Sequence, residues 1–208
     1  MEKLIRIVLA NPHPIIRSDL RLLLERQPAF RVMGEAANGR EAVILAEYRH
    51  PDIVLLDMKL PLLSGIAAVR EIASKKPGVR MIFVTALADQ EYVAEAFKAG
   101  AHGYVLEDAV QTDLVSAVHV VTRGGSFLSP AITAKLIEEF AANDSSVSEY
   151  EKQLCCLLAA GYDECDIASR LNSTASQVWA DYQNIRRRPS IALLLPPLAS
   201  IHKVEISP

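Results

Sequence analysis

Over the first 122 residues two spacings of apolar positions alternate. Short, nearly continuous apolar runs occupy residues 4–10, 31–36, 52–57, 79–85 and 101–106, each bounded by Gly, Pro, Asn or Asp. Runs of that length with those boundaries are expected to be strands. Between them apolar residues recur every three or four positions, which predicts a helix after each run. Ile15, Leu20, Leu23 and Leu24 are expected to line the inner face of the first helix, and Ala42, Val43 and Ala46 that of the second. Ile66, Val69 and Ile72 mark the third, Tyr92, Val93, Ala96 and Phe97 the fourth, and Leu114, Val115, Val118 and Val121 the fifth. Five strands alternating with five helices predict an α/β fold, a doubly wound five-stranded parallel sheet covered on both faces. Crossovers in such sheets are right-handed, and ligands bind beyond the carboxyl ends of the strands. The candidate site residues are therefore Asn11, Pro12, Asp57, Thr85 and Glu107.

The pattern changes after residue 122. Arg123-Gly124-Gly125 is expected to break the fifth helix, and Ser129-Pro130 to open a short one over 131–140. The polar stretch 143–148 predicts a linker or a helix cap. Ser148 then caps a helix with Glu151 in the capping-box position, and Gly161 ends it. A short amphipathic helix over 163–171 follows, carried by Ile167, Ala168 and Leu171. After the turn Asn172-Ser173-Thr174 a third helix is expected over 175–188, with Val178, Tyr182 and Ile185 inward. That makes a small all-α domain with a helix-turn-helix arrangement. The expected division is a first domain over 1–122, a linker with a short helix over 123–146, and a second domain over 147–208 with an apolar tail.

Composition narrows the function. The net charge of the 208-residue chain is −3, so nucleic-acid binding requires a local basic patch. No apolar run reaches the roughly 18 residues that span a bilayer. The amino terminus does not resemble a signal peptide, so a cytoplasmic location without membrane contact is expected. The odd count of Cys155, Cys156 and Cys165 in a reducing compartment argues against a disulfide framework, a zinc site would need a fourth ligand at suitable spacing, and the three are expected to be small buried apolar residues.

The segments LIRIVLANPHPIIRSDL, PDIVLLDMKLPLLSG, VTALADQEYVAEAFKAGAHGYVLEDA and RGGSFLSP resemble the receiver domain of NarL/FixJ-type response regulators. That fold is CheY-like (flavodoxin-like). The segment VSEYEKQLCCLLAAGYDECDIASRLNSTASQVWADYQNIRRR is similar to the LuxR-type helix-turn-helix that follows it in that family. The resemblance spans residues 3–188. It implies that Asp57 is the phosphoacceptor position, that Thr85 is the hydroxyl residue after the fourth strand, and that Tyr104 is the aromatic switch residue. It also implies two acidic Mg²⁺ ligands after the first strand and a lysine after the fifth. This chain has Asn11, Pro12 and Glu107 at those positions. The expectation is a degenerate, pseudo-receiver pocket in which Mg²⁺ binds weakly or not at all and Asp57 is not phosphorylated at a useful rate. Asp57 is then expected to accept local hydrogen bonds or pair with Lys59. The alternative has Glu107 replace a missing metal ligand.

In the second domain the resemblance places the third helix in the major groove of double-stranded DNA. Ser176, Gln177 and Asn184 are the candidate base readers, and Arg186, Arg187 and Arg188 the candidate phosphate contacts. Asp181 opposes that role, and residues 147–188 hold five basic residues against six acidic ones. Trp179 is expected to point partly outward, and the apolar segment 191–198 to cover it or a neighbouring subunit. The leading expectation is a homodimeric transcriptional regulator controlled without aspartyl phosphate, with a protein partner or ligand at the receiver. The rival is a protein-interaction module whose helix-turn-helix no longer binds DNA. An enzyme is not expected, because Asn11-Pro12-His13-Pro14 lacks the donors of a phosphate-binding loop.

Overall fold

The computed structural model describes residues 4–143 and 148–187, with side chains given outside 139–143. The chain divides into two compact units, Met1–Thr122 and Arg123–Pro208. The first alternates β1 (Ile5–Ala10), α1 (Pro14–Glu25), β2 (Phe30–Ala36), α2 (Gly39–Arg49), β3 (Ile53–Leu56), α3 (Gly65–Lys75), β4 (Arg80–Thr85), α4 (Gln90–Ala99), β5 (Gly103–Leu106) and α5 (Val110–Thr122). A single 3-10 turn, Glu107–Ala109, joins β5 to α5.

The strands run parallel in the order β2-β1-β3-β4-β5. Every residue of β3 and β5 is buried, as their unbroken apolar runs require of central or covered strands. Ile7, Leu9, Leu55, Leu56, Ile82 and Phe83 form the middle of the core. Strand order reverses between β1 and β3, so the crevice of this sheet opens where those two strands end.

The helix faces follow the apolar spacing, except at Ile15 and Tyr92. Leu20, Leu23 and Leu24 are buried, whereas Ile15 is 75% exposed, contrary to expectation. At 100° per residue Ile15 lies well off the face defined by Leu20, and Ile16, four residues before Leu20, is the true member of that stripe. Tyr92, at the margin of α4, is also exposed, while Val93 and Ala96 are buried.

The second unit carries a two-residue strand, β6 (Phe127–Leu128), and four helices among its described residues. These are α6 (Pro130–Asn143), α7 (Glu149–Ala159), α8 (Glu164–Arg170) and α9 (Ala175–Arg186). Helix α6 starts on its proline, whose missing N–H costs nothing there, and runs longer than the predicted 131–140. The capping box between Ser148 and Glu151 is formed in both directions. Asp163 and Thr174 cap α8 and α9 through their side chains. Leu154, Leu158, Ile167, Val178, Tyr182 and Ile185 make the core of this unit. Cys155 is buried as expected, but Cys165 is exposed on the first turn of α8, outside that core.

Candidate functional site

The register of the sheet assembles the first candidate site. Ala10 pairs with Leu56, so Asn11 and Asp57 leave the sheet side by side. Thr85 pairs with Leu106, so Glu107 follows at the same edge. Asp57 is buried, 8% exposed, and its backbone N–H donates to the Ala10 carbonyl at 2.8 Å. One carboxylate oxygen accepts the Lys59 backbone N–H at 3.1 Å. The other faces the Asn11 side-chain amide, which donates at 3.5 Å. Asp57 therefore does accept local hydrogen bonds, and Lys59 contributes its backbone to them while its side chain lies in solvent.

Asn11 is 2% exposed and held from both sides. Its side-chain oxygen accepts the His13 N–H at 2.9 Å, and its backbone carbonyl accepts from the Arg17 guanidinium at 2.6 Å. Arg17 also sits 3.5 Å from the Glu35 carboxylate. Sequence reasoning missed Arg17, which the first turn of α1 brings back over the end of β1. Pro12 lies half-buried between these groups.

Glu107 is half-buried. Burial first, and then the nearby Asp57 charge, push its carboxyl above the usual range, with His13 opposing. Thr85 is buried, and its hydroxyl oxygen accepts the Leu87 N–H at 3.4 Å. Tyr104 is fully buried, stacked at a tilt against Phe83, and its hydroxyl donates to the Leu87 carbonyl at 2.9 Å. Burial, followed by the Asp89 and Asp57 charges, raises its pKa. The β4–α4 loop thus receives bonds from or to both Thr85 and Tyr104. Among the described residues, no group of three or more His, Cys, Asp or Glu side chains is placed to hold a metal ion.

The second candidate surface is α9. Ser176, Gln177, Asn184, Arg186 and Arg187 are exposed on it, and Arg188 lies outside the described residues, as does the segment 191–198. The Gln177 side-chain amide donates to Asp181 at 3.0 Å. Asp181 also accepts the Tyr150 hydroxyl at 3.1 Å, fastening α9 to α7, a role that no sequence signal announced. Trp179 is half-buried and stacks on Tyr182 with ring centroids 5.9 Å apart. The Arg186 guanidinium lies over the same Tyr182 ring, 5.9 Å from its centroid. Among the described residues, no helix is long and apolar enough to cross a membrane.

Comparison with known proteins places the chain. Residues 7–119 match the model of the response regulator receiver domain. The transcriptional regulatory protein YxjL of Bacillus subtilis (strain 168) is 32% identical, over 84% of each chain. The nitrate/nitrite response regulator NarL of Escherichia coli (strain K12) is 29% identical over 96% of each. A crystal structure of a LuxR-family two-component response regulator from Aurantimonas sp. SI85-9A1 matches with a TM-score of 0.64 at 36% identity, covering 67% of this chain and 99% of that one. The CheY-like receiver fold in the first unit and the NarL-type relatives of the whole agree: the chain belongs to the response regulator family, with its receiver domain in the N-terminal unit.

Proposed function

We propose that the chain is a cytoplasmic transcriptional regulator that binds double-stranded DNA as a homodimer through α8 and α9, and whose receiver works without aspartyl phosphate. In this reading the receiver-like domain spans 1–122, the linker 123–146 and the helix-turn-helix domain 147–208. The names of the relatives support the regulatory role, since YxjL and the Brevibacillus brevis protein DegU are both called transcriptional regulatory proteins.

One observation carries the phosphate-independent part: a neutral amide, not a carboxylate, faces Asp57 across the edge of the sheet. Mg²⁺ sheds water reluctantly and demands charged oxygen ligands in near-octahedral array. Asn11 turns an N–H donor toward Asp57, and Pro12 offers neither charge nor backbone donor. These residues do not fit the metal. Glu107 stands where a cation would neutralise a phosphoryl group, and its charge already opposes that of Asp57. Each missing electrostatic contact costs about 10²-fold in rate. Incubation of the full chain with acetyl phosphate and Mg²⁺ tests the reading. No aspartyl phosphate is expected; stoichiometric labelling that disappears in Asp57→Ala would overturn it.

A second reading, a protein-interaction module without DNA binding, draws on the engagement of Gln177 by Asp181 and on the acidic balance of residues 147–188. Affinity for DNA rests largely on phosphate neutralisation. Retention on heparin and on random duplex DNA at low salt supports the regulator; passage through both supports the module.

A further inference from the structure

We infer that the apolar run at residues 191–198 docks into a groove of its own C-terminal unit, formed by α6, α7 and α8. The groove encloses ≈ 380 Å³. Deleting one buried leucine side chain leaves a cavity of roughly 150 Å³, so the groove has room for about two of them. Its apolar wall is Ala134 and Ile137 of α6, Leu157 of α7 and Leu171 of α8, and the half-buried Cys156 opens onto it. Its charged lining balances, with Glu138 and Glu149 against Lys152 and Arg170. Lys152 donates to Glu149 at 3.2 Å, and the Arg170 guanidinium lies 4.3 Å from the centroid of the Tyr162 ring. A groove whose charges are already matched in this way favours an uncharged, apolar guest.

The chain carries such a guest next to the groove. Residues 189–201 hold no Asp, Glu, Lys or Arg, in a chain that is 23% charged, and they include Leu193, Leu194, Leu195 and Leu198. They follow directly on α9. The Tyr150 hydroxyl donates to Asp181 at 3.1 Å and pins α9 to α7 one residue from Glu149 in the groove wall. From Asp181 to Arg187 the helix adds about 9 Å, and crossing one helix adds about 11 Å. Extended chain from Arg187 to Leu194 reaches up to about 24 Å, enough to return over both. The tether holds the run at an effective concentration on the order of 1 mM, which a second copy or a free ligand has to exceed. Trp179 has no comparable need of cover, because it is already half-buried and stacked on Tyr182. Seated in the groove, the run ties α6 to α7 and α8 and leaves the exposed face of α9 open.

The test uses the full chain with Cys165→Ser, which leaves Cys156 as the accessible native thiol because Cys155 is buried. Leu193→Cys, Leu194→Cys and Leu195→Cys, each alone in that background, are oxidised with diamide and compared with Ser207→Cys, beyond the run. Peptide mapping is expected to show a disulfide to Cys156 within one chain, formed about tenfold faster or more in at least one of the three than in Ser207→Cys. Separately, Leu193→Asp, Leu194→Asp and Leu195→Asp combined should speed alkylation of Cys156 by iodoacetamide about fivefold or more, with the far-UV circular dichroism unchanged. Should the aspartates unfold the unit, the cross-link alone decides. No preferential cross-link in any of the three, or an alkylation rate unmoved by the aspartates, overturns the inference. So does a disulfide that forms between chains and grows with protein concentration, which assigns the groove to the tail of a second copy.

Discussion

Asp57 at the edge of the sheet and Asp181 on α9 are both carboxylates that accept hydrogen bonds from two neighbouring donors, yet their surroundings differ. Asp57 is 8% exposed and bound by two N–H groups whose own positions are fixed by the ends of β1 and β3. Asp181 is half-buried and bound by the Tyr150 hydroxyl and the exposed amide of Gln177. Exposed side chains change rotamer within nanoseconds, and salt screens their charges. Buried ones do neither. A wrong charge is therefore decisive at the edge of the sheet and adjustable on α9.

The rigidity of the edge is open to a direct attack. A Cβ added at Gly65 meets the Asp57 carbonyl oxygen at 2.2 Å and the Met58 Cα at 2.9 Å, both backbone atoms that have nowhere to go. Gly65→Ala is expected to cost ~3 kcal/mol of stability, at the high end for overpacking. Ser176→Ala, on the exposed face of α9, should stay within about 0.5 kcal/mol. Urea denaturation of both variants checks the contrast, and equal losses would remove the distinction between the regions.

The charge argument predicts the next largest effect. Restoring the family pattern with Asn11→Asp, Pro12→Asp and Glu107→Lys should raise acetyl phosphate labelling of Asp57 by about 10²-fold or more. Mass spectrometry of the intact chain reads the outcome. An unlabelled triple variant that folds normally would mean that backbone geometry, not charge, silences the edge.

Much of the fold was legible because burial leaves a period in the sequence. The strands fall within two residues of their expected bounds. Ile15 was misplaced because two adjacent isoleucines open α1 and the pattern alone does not select between them. The site was legible as a set of residues at strand ends. The contacts were not: Tyr104 on the Leu87 carbonyl and Tyr150 on Asp181 join residues distant in sequence. Such pairs leave no local period, since either partner alone is compatible with an ordinary surface or core position.

On α9 the expected effect is smaller. Asp181→Asn removes a negative charge beside the candidate reading positions and frees the Gln177 amide from an ionic partner. Affinity for duplex DNA should rise several-fold at low salt, and the gain should shrink as salt increases. Fluorescence anisotropy at two salt concentrations measures it. A gain independent of salt would mean that the charge acts through the Tyr150 contact and the seating of α9 on α7.

The smallest effect lies at the opposite edge of the sheet, where partial burial controls stability and not phosphate chemistry. His102 precedes β5, and its Nδ1 accepts the Met81 N–H at 3.3 Å. Burial, and then the Arg80 charge, push its pKa down to about 4. In the unfolded chain the same imidazole titrates near ~6.5. Between those values the unfolded state binds a proton that the folded state refuses, so stability is full above about 6.5 and falls as pH drops toward 4. The ring is only half-buried, so solvent screening holds the loss well below the roughly 1.4 kcal/mol per unit of a fully effective shift. His102→Asn removes this titration. Between pH 7 and pH 5 the urea midpoint of the parent should fall further than that of the variant. Parallel declines would mean that the imidazole is solvated in the folded chain, and that buried, fixed polar groups in this sheet are confined to its carboxyl edge.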